Sequence, residues 1–199
     1  APLRRDDTAM VYGGQRGHEI SKFSESRDFE RLFPDVPHEV DPEQPFANNA
    51  NSAIKRALWE QHPFDEGLPG LEDIEWAKRW MEDGLKVVYE PAACIIHVHT
   101  ESWAQVRRRY HREGMAARWV GIRILRHIPG EIWREFRWAL DDLWLAAKEG
   151  RLLELAGQIL RFRHAKLTGT VAGIVDSRGI TNPARRAEMF FQTGFPAVV

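Results

Sequence analysis

The alternation of short β-like runs with amphipathic stretches predicts an α/β domain, and a change of period after Ser102 predicts a helical extension behind it. Met10-Val11-Tyr12 is an apolar run ended by Gly13-Gly14, as a strand feeding a loop would be. Residues 73–82 place Ile74, Ala77 and Met81 on one helical face closed by Gly84. Two β-rich runs follow at 86–89 and 93–99, with Glu90-Pro91 between them.

In chain order, residues 1–45 are polar and turn-rich, with a short helix expected at 23–33 along the domain edge. Residues 46–51 are small side chains and amides, and 52–59 reads as a short helix that stops before His62-Pro63. Strand alternation along 93–99 puts Cys94, Ile96 and Val98 on one side and Ala93, Ile95, His97 and His99 on the other, so both histidines share a face. Beyond Ser102, Trp103, Val106, Tyr110, Ala117, Ile124 and Ile128 form an interrupted helical stripe, with Gly114 as its weak point and Pro129-Gly130 as its break. Residues 131–148 carry Ile132, Phe136, Ala139, Leu140, Leu143 and Ala147 on one side and Trp133, Arg137 and Trp144 on another. A further amphipathic helix is expected at 151–166, and Gly, Pro and Thr punctuation from Asp176 onward predicts a linker or tail. The expected division is 1–115, 116–175 and 176–199.

Composition narrows the class. With 199 residues, 43% of them hydrophobic, the chain can bury a core and is expected to form one main domain with an appendage. No apolar run reaches the roughly 18 to 20 residues that span a bilayer, and the start lacks a signal-peptide pattern. A single cysteine, Cys94, requires no oxidising compartment, so a cytoplasmic location, peripheral at the membrane, is expected. The net charge of -1 hides an acidic region at 28–83 and a basic one at 107–137. That balance, with no nucleic-acid motif, argues against a nucleic-acid partner.

The chemistry centres on Glu72 and Asp73 at a helix start and His97 and His99 on a later strand. Moving a sugar from a nucleoside diphosphate to a hydroxyl needs a base at the acceptor and positive charge at the leaving group. Asp73 suits the first role because a helix start holds it rigidly. Neutral His97 suits the second as a ligand for a divalent ion such as Mn²⁺ or Mg²⁺. Two other readings stay open: an Asp opening a helix commonly caps backbone N–H groups, and paired strand histidines are commonly surface groups. Trp76 stands third after Asp73, so no capping box explains the acidic pair.

The order of motifs is more specific than any one of them. Phe46-Ala47-Asn48-Asn49-Ala50-Asn51-Ser52-Ala53-Ile54-Lys55-Arg56, Pro63-Phe64-Asp65-Glu66, Glu72-Asp73-Ile74-Glu75-Trp76, Gly84-Leu85-Lys86-Val87-Val88-Tyr89-Glu90-Pro91 and then His97 resemble the second half of family-2 glycosyltransferases, over roughly residues 10–115. The resemblance implies a Rossmann-like GT-A fold, inversion at the anomeric carbon, a nucleotide-sugar donor and a glycan or lipid-linked acceptor. It implies Asp73 as the catalytic base and His97 as the metal ligand; Glu72 beside Asp73 is a further catalytic candidate, Trp76 a substrate-binding candidate and His99 a second metal-ligand candidate. The family's Asp-x-Asp motif is not matched, because Asp6-Asp7 has no apolar strand before it. An acceptor-side half is therefore expected, working with an N-terminal donor-binding half or partner chain in cell-surface polysaccharide or glycan synthesis. The alternative is a non-catalytic module that holds an acceptor glycan or lipid headgroup.

Asn49 and Asn51 are candidates for sugar hydroxyls, against the common use of amides in turns. Arg107, Arg108 and Arg109 are candidates for substrate phosphates, against a solvated helix face. In Gln105-Val106-Arg107-Arg108-Arg109-Tyr110, Arg109 stands where the Gln-x-x-Arg-Trp element of processive members has Trp. Trp119, Trp133, Trp138 and Trp144 among basic residues make a membrane surface the expected partner of residues 116–166.

Overall fold

The structure, a computed structural model, describes residues 2–177. Most of the tail expected at 176–199 lies outside the described residues. Four strands, β1 (Thr8–Gly17), β2 (His38–Glu39), β3 (Ser52–Ile54) and β4 (Lys86–His97), form one mixed sheet in the order β2-β4-β1-β3. The chain is thus α/β, as expected. β1 runs parallel to β4, with Met10 opposite Val87 and Tyr12 opposite Tyr89, while β2 and β3 pair antiparallel at the edges. Helices α1 (Phe23–Leu32), α2 (Arg56–Gln61) and α3 (Glu72–Glu82) fall between the strands, and α4 (Trp103–Trp119), α5 (Ile128–Lys148) and α6 (Leu152–Asp176) follow them.

Several local expectations are corrected. β1 does not stop at Gly13-Gly14 but runs on to Gly17. The glycine is there for close approach: a Cβ on Gly13 would stand 1.9 Å from the Ala93 carbonyl oxygen and 2.2 Å from Asn51 Nδ2. The two runs at 86–89 and 93–99 join as one strand, and Glu90-Pro91 marks a bulge, since Gly13 pairs with Glu90 and Gln15 already with Ile95. Residues 52–59 begin as strand because Ile54 pairs with Met10, and only Arg56–Gln61 is helical. Pro129 opens α5 instead of breaking a helix, as its fixed φ suits a first turn. The break falls earlier, where Gly121 takes φ +83.

One buried cluster holds the α/β layer together. Trp76, Ala77, Trp80 and Met81 of α3 join Met10, Tyr12, Val87 and Tyr89 of the sheet, with Phe33 and Ala47. Each large side chain withdrawn there contributes roughly 1.5–3 kcal/mol. Successive residues Thr8, Ala9 and Met10 are all inaccessible, so β1 is covered on both faces.

The helical module is built differently. α4 and α6 lie side by side in the same direction, close enough that a Cβ on Gly114, Gly169 or Gly173 would come within 2.5, 2.4 or 2.1 Å of the Thr170, Arg107 or His111 carbonyl oxygen. Gly114 is therefore a contact point, not a weak point. The expected boundary at 115 falls inside α4. α5 turns toward α6 Glu135 and Asp142, which meet Arg163, and Leu143 and Ala146, which pack on Leu155 and Ile159, while Ile132, Phe136 and Leu140 stay exposed. Arg163 of α6 meets Asp142 at 2.6 Å, Asp28 of α1 at 2.8 Å and Glu135 at 3.1 Å, while Lys166 reaches Asp28 at 2.6 Å and Glu135 at 3.2 Å. Among the described residues no helix is long and apolar enough to cross a membrane.

Candidate functional site

β1 and β4 deliver their carboxyl ends, Gln15 and His97, to the same place, which is where open parallel sheets characteristically leave a crevice. A cavity of about 410 Å³ lies there, walled by Gln15, Asn48, Asp73, His97 and His99 on the sheet side and by Arg109, Tyr110, Glu113, Trp138 and Lys166 on the helical side.

Asp73 reaches this wall through a distorted turn. Leu71, just before α3, takes φ 60 and ψ 23, a left-handed conformation costly for a non-glycine residue. It leaves Asp73 inside the first turn of α3, so the carboxylate is not the helix cap. One carboxylate oxygen accepts the Asn49 N–H at 2.8 Å and the other the Ile74 N–H at 2.8 Å. Burial pushes its pKa up to about 6, with the neighbouring Glu72 charge adding to the rise and the two N–H groups opposing it.

A second line of contacts sets the histidines. Gln15 donates through Nε2 to Asn48 Oδ1, which turns its Oε1 toward His97 Nδ1 at 2.8 Å. His97 thus carries its proton on Nδ1 and a lone pair on Nε2, and burial, then the adjacent His99, holds its pKa below the usual value. Phe29 stacks on His97 with ring centres 5.6 Å apart, and the two imidazole centres are 4.4 Å apart. The alternation-based placement of both on one face therefore holds.

His99 Nδ1 lies 2.8 Å from Glu25 Oε1. The same oxygen accepts from Arg109 Nη2 at 2.5 Å, and Arg109 Nε donates to Glu101 at 2.9 Å. Burial opposes ionisation of Glu25, but the His99 hydrogen bond and the Arg109 charge hold its carboxyl below the usual range. Glu25, His99 and Glu101 offer ligand atoms within 4.8 Å of one another, and Glu25 Oε2 is buried with no hydrogen-bond partner among the described residues. Two carboxylates and an imidazole suit a hard divalent cation, which would share the two carboxylates with the Arg109 guanidinium that already touches both and with the charge of nearby Lys22. The three-donor group includes His99 and not His97, the ligand that the resemblance selects.

Of the other expected site residues, only Arg109 faces the cavity. Arg107 and Arg108 are exposed on the far side of α4. Glu72 acts on Asp73 only through its charge. Trp76 is wholly inaccessible, packed against Phe64 and Trp80 with its indole N–H donated to the His62 carbonyl, so it has no surface for a substrate. Asn49 holds Asp73 by its backbone while its side chain accepts from Ser52, and Asn51 bridges to the Ala93 carbonyl at 2.5 Å; both amides tie the turn. Sequence reasoning missed Gln15, Glu25, Asn48 and Glu101. Asn48 stood inside the motif at 46–56 and Gln15 is a polar residue just past Gly13-Gly14, whereas Glu25 and Glu101 carried no signal.

Comparison with protein-family models, with curated proteins and with solved structures finds no match to this chain.

Proposed function

We propose that this chain carries the acceptor side of an inverting glycosyltransferase, with Asp73 as the base that takes the proton of the acceptor hydroxyl. The observation that supports this most is the state of Asp73: a buried carboxylate on a cavity wall, fixed by two backbone N–H groups and with its pKa pushed up to about 6. A base works best when its pKa lies near the working pH, so that it is mostly ionised yet still basic. Departing diphosphate would meet Arg109 and the Nε2 side of His97, both on the same cavity. The divalent ion that the family resemblance implies would be held by Glu25, His99 and Glu101, and would supply charge stabilisation of the leaving group.

The test is transfer from a nucleotide-sugar donor by the complete transferase carrying Asp73→Asn. Turnover is expected to fall on the order of 10²- to 10⁴-fold, with donor affinity changed only a few-fold. In the unsubstituted enzyme the rate should rise with pH through about 6 as Asp73 ionises. Near-normal turnover by a folded Asp73→Asn protein would remove the base assignment.

A further inference from the structure

We propose that the outward face of α5 is a docking surface for an anionic lipid bilayer, on which the helix lies flat. A surface helix normally turns its apolar stripe to the core and its charges to water. α5 does the reverse. Ile132, Trp133, Phe136, Leu140 and Trp144 recur at helical spacing and are all exposed, from 47% for Ile132 to 60% for Trp133.

The charges on α5 say what covers this stripe. Every acid on the helix is turned away or neutralised: Glu131 pairs with Arg123 and Arg134, Glu135 and Asp142 with Arg163, and Asp141 with Arg27 and Arg31. The exposed charges left over are basic. Arg137 and Lys148 have no carboxylate partner among the described residues, and Lys148 Nζ stands 4.2 Å over the Trp144 ring. The exposed acids that a second copy of this face would bring, Asp141 and Glu149, are already paired within the chain, with Arg27 and Arg31 and with Arg151. A bilayer with anionic headgroups supplies both halves of the complement, an acyl boundary for the stripe and negative charge for its edge. Tryptophans beside basic residues are the side chains that settle at that boundary, where the ring is buried and the polar end stays wet. The surface is separate from the Asp73 cavity, which the other side of α5 lines through Arg134 and Trp138. The proposal therefore stands or falls independently of the transfer chemistry.

The experiment is co-sedimentation of the full chain with phosphatidylcholine vesicles containing increasing phosphatidylglycerol, with sedimentation velocity run in parallel. Binding is expected to strengthen with the anionic fraction and to weaken with salt. Phe136→Glu should abolish it, and the double variant Arg137→Glu, Lys148→Glu should weaken it about thirty-fold or more, given roughly five-fold per basic residue at an anionic surface. These side chains face water, so far-UV dichroism and melting temperature should not change, which separates lost docking from lost folding. Failure of the unsubstituted chain to bind anionic vesicles would overturn the proposal. So would vesicle binding that survives both variants, or a dimer that Phe136→Glu makes monomeric in a chain indifferent to lipid.

Discussion

In the α/β layer the groups withdrawn from water are apolar: Met10, Tyr12, Trp76, Val87 and Tyr89. In the helical module two small apolar clusters, one of Val106, Phe162 and Ala165 and one of Ala146, Leu155 and Ile159, flank a buried ionic one of Asp28, Glu135, Asp142, Arg163 and Lys166, while Ile132, Phe136 and Leu140 face outward. The first arrangement stabilises by transfer of apolar surface and tolerates small shifts of packing. The second holds only while every charge has its partner, because removing a charge from water costs several kcal/mol that its contacts must offset. What the ionic core does supply is register. Arg163 and Lys166 lock α6 to both α1 and α5, and Asp28 and Lys166 stand on the wall of the Asp73 cavity. The shape of the candidate site is thus set by a charged cluster on one side and a hydrophobic one on the other.

The most severe way to break this contrast is Arg163→Met. Three carboxylates would lose their shared cation within a dry interface, and stability should fall by about 3–5 kcal/mol at neutral pH. Burial alone would raise the Asp28 carboxyl, yet Lys166 and Arg163 hold it below its ordinary value. Its contribution is present above the unfolded pKa and is lost as pH falls through the lower folded one. The gap between wild type and variant should therefore narrow below about pH 4, a trend that urea unfolding at two pH values would read. A loss under about 1 kcal/mol at neutral pH would show that the cluster behaves like a surface network.

The same contrast explains what could be read from residues alone. Period two along 93–99 and the helical face of Ile74, Ala77 and Met81 were legible because the α/β layer buries apolar groups in the ordinary way. The side of α5 that faces the core was not, since apolarity pointed to its solvent face. Asp73 and the pair His97 and His99 were placed together by motif order and alternation. Glu25 and Glu101 were not, because their meeting through Arg109 joins α1 to the start of α4 across the fold. Trp76 was misjudged for a related reason. Its place in a motif says nothing about which side of α3 it occupies.

Gly173 sharpens the comparison within the helical module itself. Its Cβ would stand 2.1 Å from the His111 carbonyl oxygen and 2.8 Å from the Met115 nitrogen, both backbone atoms that cannot swing aside. Gly173→Ala should cost about 3 kcal/mol, at the upper end of overpacking effects. Gly157 lies in the same helix with nothing within 4 Å of its Cβ position. There the same change should stabilise by about 0.5–1 kcal/mol, through helix propensity and the unfolded chain. Thermal melts of the two variants check this, and equal shifts would refute the close packing of α4 on α6.

The smallest effect tests the site where the two regions meet. The folded pKa of Asp73, about 6, lies above its ordinary 3.8, so folding favours the protonated acid. Its contribution is full below the unfolded pKa and is lost as pH rises through about 6. At pH 8 the protein bears the cost of a buried carboxylate that it does not bear at pH 4. Asparagine carries no charge but keeps only one oxygen, so one of the Asn49 and Ile74 N–H groups, which use different carboxylate oxygens, loses its acceptor at every pH. The stability of Asp73→Asn relative to wild type should therefore rise by about 1–2 kcal/mol between pH 4 and pH 8, on top of a pH-independent loss from the unmatched N–H. Unfolding curves across that range decide it. A residue kept only to satisfy backbone donors would give the opposite sign, because its carboxylate is the stronger acceptor at high pH. A relative gain of stability at high pH together with loss of transfer is the pattern expected of a group retained for chemistry at a cost to the fold.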